Sequence, residues 1–515
     1  MTPSRDSLAL CVDLGTTGLK VGLVTLDGRL HSVRHATVST DFDGAGGATQ
    51  DAGAWWEQIS AFCRSLCAEV DSAQIAAVAV TGQYASSIPV DEAGEPVGAC
   101  VLWMDTRGGR RTRAAVGGPV AGLRPRAALA FVRKTGGAPS PSGADGTGSM
   151  LHLIHDEPEI MKRTRWILEP VDYLTMRFSG QPSATHASMI GSWLTDNRRL
   201  DHFEYDPGLC ALLGVDKSLL APLLAFGSIA GAVTTEANRA TGIPEGTPVL
   251  AGSPDLHAAA LGSGTTELGG PGHLALSTTS WVSAPMAKKK TDILHSIATM
   301  PGLDDSSYLI VNNHEVGAKA LEWYADALGV ARPVDFDALT NEAALSPTGS
   351  GSVIFTPWLA GERSPAESHR ARGGFHNLSL GTSRADMVRA VLEGVAYNSR
   401  WLAEYVDRFA SRKLAPLRVV GGGATSTLWC QIHADVMHRE IDQIRDPVVA
   451  QLRGIGILAG RTLGVVANDE IPSLAQIAGR FNPDPAAVEV YDRLFAEFPG
   501  LFKVQRPMFQ RLQGR

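Results

Sequence analysis

The sequence predicts an α/β protein of two domains. Three observations favour this: apolar runs of strand length alternate with stretches of helical period, 515 residues exceed what one hydrophobic core normally holds, and glycine-rich stretches divide the chain. We place the boundary in the glycine-rich stretch 261–273, which gives an N-terminal domain 1–265, a C-terminal domain 266–470 and a helical tail 471–515.

Composition points to a small-molecule partner. Hydrophobic residues make up 44% and charged residues 19%, and the net charge of −7 comes without a long basic block, so neither nucleic acid nor an anionic membrane is expected. The six cysteines are scattered, which favours neither a disulfide framework nor a zinc site and fits a cytoplasmic location. We expect no signal peptide and no membrane span.

The first element, "CVDLGTTGLKVGLVTLDGRL" at 11–30, predicts two strands joined by a tight turn at Gly15 to Gly18, followed by a DG turn into a third strand. Small residues let backbone N–H groups approach phosphate oxygens. Thr16 and Thr17 would add hydroxyl donors, Lys20 a positive charge, and Asp13 a ligand for Mg²⁺. The alternative is a plain hairpin turn capped by Asp13.

The next elements continue the mixed pattern. The period of residues 51–70 predicts a helix, and "IAAVAVTGQ" predicts a buried strand that ends in a loop. Residues 134–149 are rich in glycine, proline and serine, which predicts either a surface loop or a substrate flap.

A candidate for chemistry lies in "VLAGSPDLHAAALGSG" at 249–264. An apolar strand ends, Ser253 is expected to cap a short helix, Pro254 suits its first position and Asp255 lies in its first turn. A helix N-terminus favours an ionised carboxylate, so we expect Asp255 to stay charged and to accept a proton from an alcohol that attacks a phosphoryl group. Ordinary helix capping is the alternative.

Two later turns resemble phosphate and nucleotide sites. "ALSTTSWV" at 275–282 echoes the first turn, so one such turn per domain could hold a polyphosphate from both sides of a cleft. A strand ending at Val420, the glycines Gly421, Gly422 and Gly423, and a helix capped by Ser426 or Thr427 form a third cluster, where bare backbone can pass close to a nucleotide.

Seven segments in this order are similar to the FGGY carbohydrate kinases, most of all to their xylulokinase-type branch: 12–28, 81–108, 169–180, 251–264, 277–283, 355–400 and 419–437. The resemblance spans nearly the whole chain. It implies the actin-like ATPase fold, in which two ribonuclease-H-like domains flank a catalytic cleft where ATP and sugar meet. It also implies ATP and Mg²⁺ as cofactors and a sugar or polyol as substrate.

Carried over by position, the resemblance implies a role for each matching residue. Asp13 corresponds to the metal-associated aspartate and Asp255 to the catalytic base. The ATP-binding residues would be Gly15, Thr16, Thr17, Lys20, Thr279, Ser280, Gly317, Gly421, Gly422, Gly423 and Ser426; the substrate-binding residues would be Gln83, Tyr84, Ala85, Trp103, Asp105 and Asp255. No catalytic role is assigned to Glu362 or Arg363.

The sequence departs from the xylulokinase pattern at four places. Tyr84-Ala85 replaces the usual Met-His pair, Leu256 replaces a glutamine after the base, and Thr278 and Trp281 replace glycines, with Trp281 expected to narrow the pocket. Loss of hydrogen-bonding groups should change substrate preference.

The function expected is transfer of the ATP γ-phosphoryl group to a ketopentose such as xylulose. The alternatives are a kinase for another ketose or polyol (ribulose, erythritol, a glycerol-like substrate) and a non-catalytic regulator with the same fold. A homodimer is one expected assembly.

Overall fold

A computed structural model describes residues 2–512 and confirms the α/β prediction. The strands of the N-terminal part are β1 Leu8–Leu14, β2 Gly18–Thr25, β3 Leu30–Thr37, β4 Asp41–Phe42, β5 Ala48–Gln50, β6 Ile75–Gly82, β7 Ile88–Val90, β8 Cys100–Val101, β9 Gly117–Val120, β10 Trp166–Leu168, β11 Ala184–Thr185, β12 Leu223–Leu224, β13 Ile229–Ala232, β14 Pro248–Leu250 and β15 Ser253–Pro254. Its α-helices are α1 Ala52–Cys67, α2 Gly109–Val116, α3 Pro125–Lys134, α4 Gly146–Asp156, α5 Pro158–Met161, α6 Pro170–Ser179, α7 Pro207–Leu213, α8 Thr235–Thr241 and α9 Asp255–Gly262.

The C-terminal part also mixes strands and helices. Its strands are β16 Gly272–Leu276, β17 Ser280–Ser283, β18 Pro285–Met286, β19 Thr291–Asp292, β20 Ile297–Pro301, β21 Tyr308–Val311, β22 Ile354–Thr356, β23 Gly374–His376, β24 Leu417–Val420, β25 Ile441–Ile444 and β26 Ile477–Phe481. Its α-helices are α10 Lys319–Ala327, α11 Phe336–Ala343, α12 Arg384–Ala410, α13 Thr427–Met437, α14 Ala450–Thr462, α15 Ile471–Leu474 and α16 Pro485–Leu512.

The two large sheets are built alike. In the first, the strand order is β13-β14-β6-β1-β2-β3, and in the second it is β17-β16-β24-β25-β26. Each contains an antiparallel hairpin, β1–β2 or β16–β17, whose first strand pairs in parallel with the next strand of the sheet, β6 or β24. The predicted hairpins, the third strand after the DG turn, the helix α1 and the buried strand β6 are therefore confirmed.

A buried layer built around α9 and α14 lies between the two large sheets, and the two helices pack against each other there. Polar contacts cross this layer as well. The ring of His257 on α9 bonds through Nε2 to the carbonyl of Pro301 at 2.8 Å, and Arg461 on α14 donates to the carbonyl of Leu303 at 2.8 Å. The catalytic candidate Asp255 is the first residue of α9, so this buried layer fixes its position.

The last segment belongs to the C-terminal domain. The helix predicted there is α16, and its buried aromatic residues Tyr491, Phe495, Phe498 and Phe502 lie in the core of that domain. A strand before it was not predicted: β26 pairs antiparallel with β25 and completes the second sheet. Residues 2–512 contain no helix with the length and apolar character needed to cross a membrane.

Candidate active site

The first turn places a carboxylate and an amine next to each other. Asp13 and Lys20 face each other across the β1–β2 hairpin, and Lys20 Nζ donates to Asp13 Oδ2 at 3.0 Å. The turn is closed by a bond from the Gly15 N–H to the Gly18 carbonyl at 2.8 Å, while Thr17 is exposed at its tip. The arrangement keeps a positive charge beside a tight backbone turn, as phosphate binding requires.

Asp255 lies next to Asp13 because of strand order. Strand β6 has β1 on one side, where Asp13 is in register with Thr81, and β15 on the other, where Pro254 is in register with Gly82. Both carboxylates therefore lie at the same end of β6. The structure corrects the predicted cap: Pro254, not Ser253, occupies the N-cap position, Asp255 is the first helical residue, and no side chain caps the helix.

The ionisation expected for Asp255 is also wrong. Burial at the bottom of the cleft and the nearby charge of Asp13 raise the pKa of Asp255 to about 7, and the hydrogen bonds from backbone N–H groups at the start of α9 only partly offset this. Desolvation and a like charge outweigh the helix N-terminus. A carboxyl group with a pKa near neutrality is well matched to accepting and returning a proton.

Thr16 connects the first turn to the predicted substrate residues. Its hydroxyl donates to Gln83 Oε1 at 3.1 Å and accepts from Trp103 Nε1 at 3.3 Å. Gln50, which the sequence did not single out, accepts from Gln83 Nε2 at 3.0 Å and donates to the Thr16 carbonyl at 2.8 Å. The Thr16 hydroxyl is thus committed to this network, so its backbone N–H is the group left for a phosphate.

Tyr84 and Ala85 follow β6 and lie beside Asp255. Burial raises the pKa of the Tyr84 hydroxyl, and the charge of Asp255 raises it further, so the two side chains are electrostatic neighbours. Ala85 has a left-handed backbone with φ 62°. A Cβ placed on Gly191 would lie 2.4 Å from the Ala85 Cβ, so the space around position 85 is closed by the Gly191 backbone.

Asp105 does not present a free carboxylate to a substrate, which corrects its predicted role. The side chain is buried; its Oδ2 accepts from the Ala48 N–H at 2.9 Å and from Arg107 Nη2 at 2.7 Å, and its Oδ1 accepts from the Arg107 N–H at 2.9 Å. With both oxygens bonded inside the protein, Asp105 ties the segment after Trp103 to β5 and to Arg107.

The turn between β16 and β17, which is the predicted second phosphate turn, joins a hairpin as the first turn does. The Gly317 N–H donates to the Thr278 carbonyl at 2.8 Å, and a Cβ on Gly317 would lie 2.6 Å from the Thr279 carbonyl oxygen, so only glycine fits there. Thr278 is exposed at the tip of the turn and Thr279 is partly exposed. The hydroxyl of Ser280 is buried in β17, and its backbone N–H and carbonyl are both bonded to the backbone of His314, so Ser280 shapes the turn and does not present a group to a ligand, which corrects its predicted role.

The third cluster completes the nucleotide side. Gly421 has φ 95°, and a Cβ there would lie 2.3 Å from Ser277 Oγ, so this turn packs directly on the second phosphate turn. Gly422 is exposed, with no protein atom within 4 Å of its Cβ position, whereas Gly423 is buried. Ser426 caps α13 as predicted, accepting from the Trp429 N–H at 3.2 Å. An open glycine backbone beside a phosphate turn fits a nucleotide.

The residues present fit a divalent cation bound with the nucleotide. Asp13 supplies a carboxylate at the turn, and oxygen ligands of this kind suit Mg²⁺, which usually retains several waters. No cluster of three or more His, Cys, Asp or Glu side chains arranged for a metal occurs within residues 2–512. A cation that shares Asp13 with the phosphates of ATP needs no such cluster.

Two of the four sequence departures lie away from the pocket. Leu256 is buried in the interdomain layer, and the Trp281 indole lies in the same layer, where its Nε1 donates to His273 Nε2 at 3.2 Å. Trp281 therefore fills the core, and the expectation that it narrows the pocket is wrong.

The 134–149 segment is largely packed rather than a free loop. Asp145 caps α4 and accepts from Trp193 Nε1 at 3.1 Å. The Gly136 carbonyl accepts from Thr291 Oγ1 of the C-terminal domain at 3.0 Å, and Lys289 donates to the Val132 carbonyl at 3.0 Å. The segment thus contacts the C-terminal domain at one end, and at the other Gly146 packs against Ala85, whose Cα is 3.3 Å from the Cβ position of Gly146. No local sequence pattern marked Trp193, whose backbone is left-handed with φ 58°.

Comparison with known proteins agrees with this geometry. The model of the FGGY family of carbohydrate kinases, N-terminal domain, matches residues 8–262, and that of the C-terminal domain matches residues 276–463. The chain belongs to this family, and it is an ATP-dependent carbohydrate kinase.

Individual relatives cover the chain from end to end. It is 28% identical to a xylulose kinase of Streptomyces rubiginosus, covering 100% of this chain and 97% of the relative, and 27% identical to a glycerol kinase of Janthinobacterium sp., covering 94% and 96%. The crystal structure of ligand-bound xylulose kinase from Lactobacillus acidophilus superposes with a TM-score of 0.85 at 21% identity, covering 98% of this chain and 99% of that chain. The two-domain actin-like ATPase fold is therefore confirmed.

Proposed function

We propose that this kinase phosphorylates a hydroxyl of a ketose, in the first place a ketopentose such as xylulose. The observation that supports the chemistry is the position of Asp255: its carboxyl group, with a pKa of about 7, lies at the bottom of the cleft beside the first phosphate turn. Tyr84, Trp103 and the Gln83 network occupy the side of the cleft where a sugar would lie.

The transfer step follows from these positions. The sugar hydroxyl oxygen forms a bond to the γ-phosphorus, the bond from that phosphorus to the bridging oxygen of ADP breaks, and the proton of the hydroxyl passes to Asp255. Lys20 and the backbone N–H groups of the two turns offset phosphate charge, and Mg²⁺ held through Asp13 supplies further charge compensation when bound.

The ketopentose preference rests on support of a different kind. The relatives named above include both a xylulose kinase and a glycerol kinase at similar identity, so similarity to them does not select a substrate. This chain has Tyr84-Ala85 at the positions of the Met-His pair of xylulokinases. Tyr84 supplies an aromatic ring and a hydroxyl there, which suits a neutral sugar.

A substrate panel tests the proposal. Purified protein with ATP and Mg²⁺ is assayed for ADP release with D-xylulose, D-ribulose, a ketohexose, erythritol and glycerol. The proposal expects the highest kcat/KM with a ketopentose. A higher value with glycerol or erythritol would contradict the ketopentose preference, and no ADP release with any of the five would contradict the proposed transfer.

A further inference from the structure

Arg363 lies in a loop of the C-terminal domain to which no function has been assigned so far. Its Nε donates to Glu315 Oε1 at 2.9 Å, and its side chain is 39% exposed. Within residues 2–512, the Nε bond to Glu315 is the only side-chain hydrogen bond of Arg363, and neither Nη group makes one. The guanidinium is therefore fixed through its Nε, and the N–H groups of both Nη atoms can donate to a ligand.

The loop that carries Arg363 is unusually well fixed. The buried carboxylate of Glu362 accepts from the backbone N–H of Arg363 at 2.9 Å and from that of Glu315 at 3.4 Å, so a single side chain holds both members of the ion pair. Asn398 Nδ2 donates to the same carboxylate at 2.6 Å, and Trp358 Nε1 donates to Asn398 Oδ1 at 3.3 Å. Burial raises the pKa of Glu362 to about 8.

Such a support is characteristic of groups that must be held in one position to bind a ligand. Glu315 also lies two residues before Gly317, whose N–H bonds to the second phosphate turn. The ion pair is therefore attached to the wall of the cleft that the C-terminal domain provides.

The charge of Arg363 acts on the sugar side of the cleft. Burial raises the pKa values of Tyr84 and Asp145, and the positive charge of Arg363 acts against the rise in both. The raised pKa of Asp255, by contrast, comes from burial and from Asp13, with no contribution from Arg363. Direct bonds tie the same loop to this side: Ser364 Oγ donates to the Ser296 carbonyl at 2.9 Å, next to β20, and Thr291 of the neighbouring strand β19 donates to the Gly136 carbonyl at 3.0 Å. These contacts place Arg363 on the side of the site where residues 134–149 lie.

The protein offers the free Nη groups no partner on that side. The carboxylate of Asp145 is already occupied by the N–H groups of Ser140 at 2.6 Å and Gly148 at 2.8 Å, together with the Trp193 indole. Glu315 neutralises the guanidinium, so the missing acceptor need not be an anion. Hydroxyl and carbonyl oxygens of a neutral sugar meet these requirements.

We propose that Arg363 is a specificity-determining residue, which donates hydrogen bonds from its Nη groups to oxygens at the end of the sugar remote from the phosphorylated hydroxyl. Glu315 and Glu362 are positioning residues for it. Because Arg363 comes from one domain and Tyr84 from the other, closure of the cleft brings the two onto the same sugar. The inference rests on the proposed sugar kinase function and adds how substrate length is recognised.

The test compares a long and a short substrate. ADP release is measured for the wild type, Arg363→Met and Arg363→Lys with the most active ketose of the panel and with dihydroxyacetone, which has only three carbons. For Arg363→Met we expect KM for the ketose to rise about 10- to 100-fold, as loss of charge-assisted hydrogen bonds predicts. The kcat, the KM for ATP and the KM for dihydroxyacetone should stay within about twofold of wild type. The KM of Arg363→Lys for the ketose should lie between that of the wild type and that of Arg363→Met.

The matched control is Arg370→Met, which removes an exposed arginine from the same segment. It should leave every constant unchanged, and thermal unfolding of all variants should be alike. An equal KM for the ketose in Arg363→Met and wild type would overturn the inference while leaving the kinase function intact. A fall in kcat for both substrates would also overturn it, because it would place Arg363 at the transferring phosphoryl group. A wild type inactive on every sugar would overturn the proposed function and this inference together.

Discussion

Asp13 and Asp255 lie on either side of the end of β6, and the charge of the first contributes to the raised pKa of the second. Lys20 Nζ lies 3.0 Å from Asp13 Oδ2, and its positive charge partly compensates the negative charge of Asp13. The raised pKa of the candidate base therefore comes first from burial and then from the charge of this strand neighbour.

The pH dependence of activity follows from this relationship. Asp255 accepts a proton only when it is ionised, so kcat/KM for the sugar should rise with pH through an acid limb with a midpoint of about 7. Asp13→Asn removes a like charge, so the midpoint should move to lower pH even though overall activity falls. Lys20→Met leaves the negative charge of Asp13 uncompensated, so the midpoint should move to higher pH. Midpoints that coincide in all three proteins would show that Asp13 has no such influence.

Stability should respond to pH in a related way. A raised pKa means that the folded state holds the proton of Asp255 more tightly than the unfolded state does, so this contribution to stability is lost as pH rises through about 7. Asp255→Asn keeps a neutral side chain at every pH. Its Tm relative to wild type should therefore be higher at pH 8 than at pH 5, measured by thermal unfolding without ligands; a difference in Tm that does not change with pH would contradict the raised pKa.

Gly422 tests the nucleotide side. No protein atom lies within 4 Å of its Cβ position, so Gly422→Ala should leave Tm unchanged. If nucleotide occupies that space, the added methyl should raise KM for ATP about tenfold, equal to ~1.4 kcal/mol. Gly500→Ala, at a glycine in α16 with equally open surroundings, is the control for nucleotide binding: it should leave KM for ATP unchanged, and it should raise Tm slightly because alanine favours a helix over glycine by about 0.5–1 kcal/mol. Equal KM values for ATP in the two variants would argue against a nucleotide at Gly422.

Ala85 tests the departure from the xylulokinase pattern. Because Gly191 closes the space at this position, Ala85→His should not restore an imidazole contact and should cost about 1–3 kcal/mol through overpacking. Sugar KM should rise as well. Ala85→Gly, which suits the left-handed backbone at φ 62°, should fold at least as stably as wild type. A stable Ala85→His variant with tighter sugar binding would contradict this description of the pocket.

Local signals in the sequence predicted much of the fold. The β1–β2 hairpin, the strand β6 and the Ser426 cap of α13 each depend on residues close in the chain, and each is confirmed. The echo between the first turn and residues 275–282 predicted the pairing of the two phosphate turns, and the family resemblance added a role for each matching residue.

What the sequence could not predict depends on contacts between distant segments. The pKa of Asp255 depends on Asp13 and on burial, which only the folded sheet creates. Gln50 and Trp193 carry no motif, and their roles appear only when Thr16 and Asp145 are brought beside them. Arg363 lay in the longest matching segment, but nothing in that segment showed that Glu315 and Glu362, from separate parts of the chain, would hold its side chain and backbone in place.

The most direct test of the central claim is sugar-dependent ADP release by Asp255→Asn, measured beside ATP binding by the same protein. Removal of the general base predicts a fall in kcat of about 10²- to 10⁴-fold with ATP affinity largely kept. Sugar-dependent activity equal to that of the wild type would contradict the assignment of Asp255 as the base.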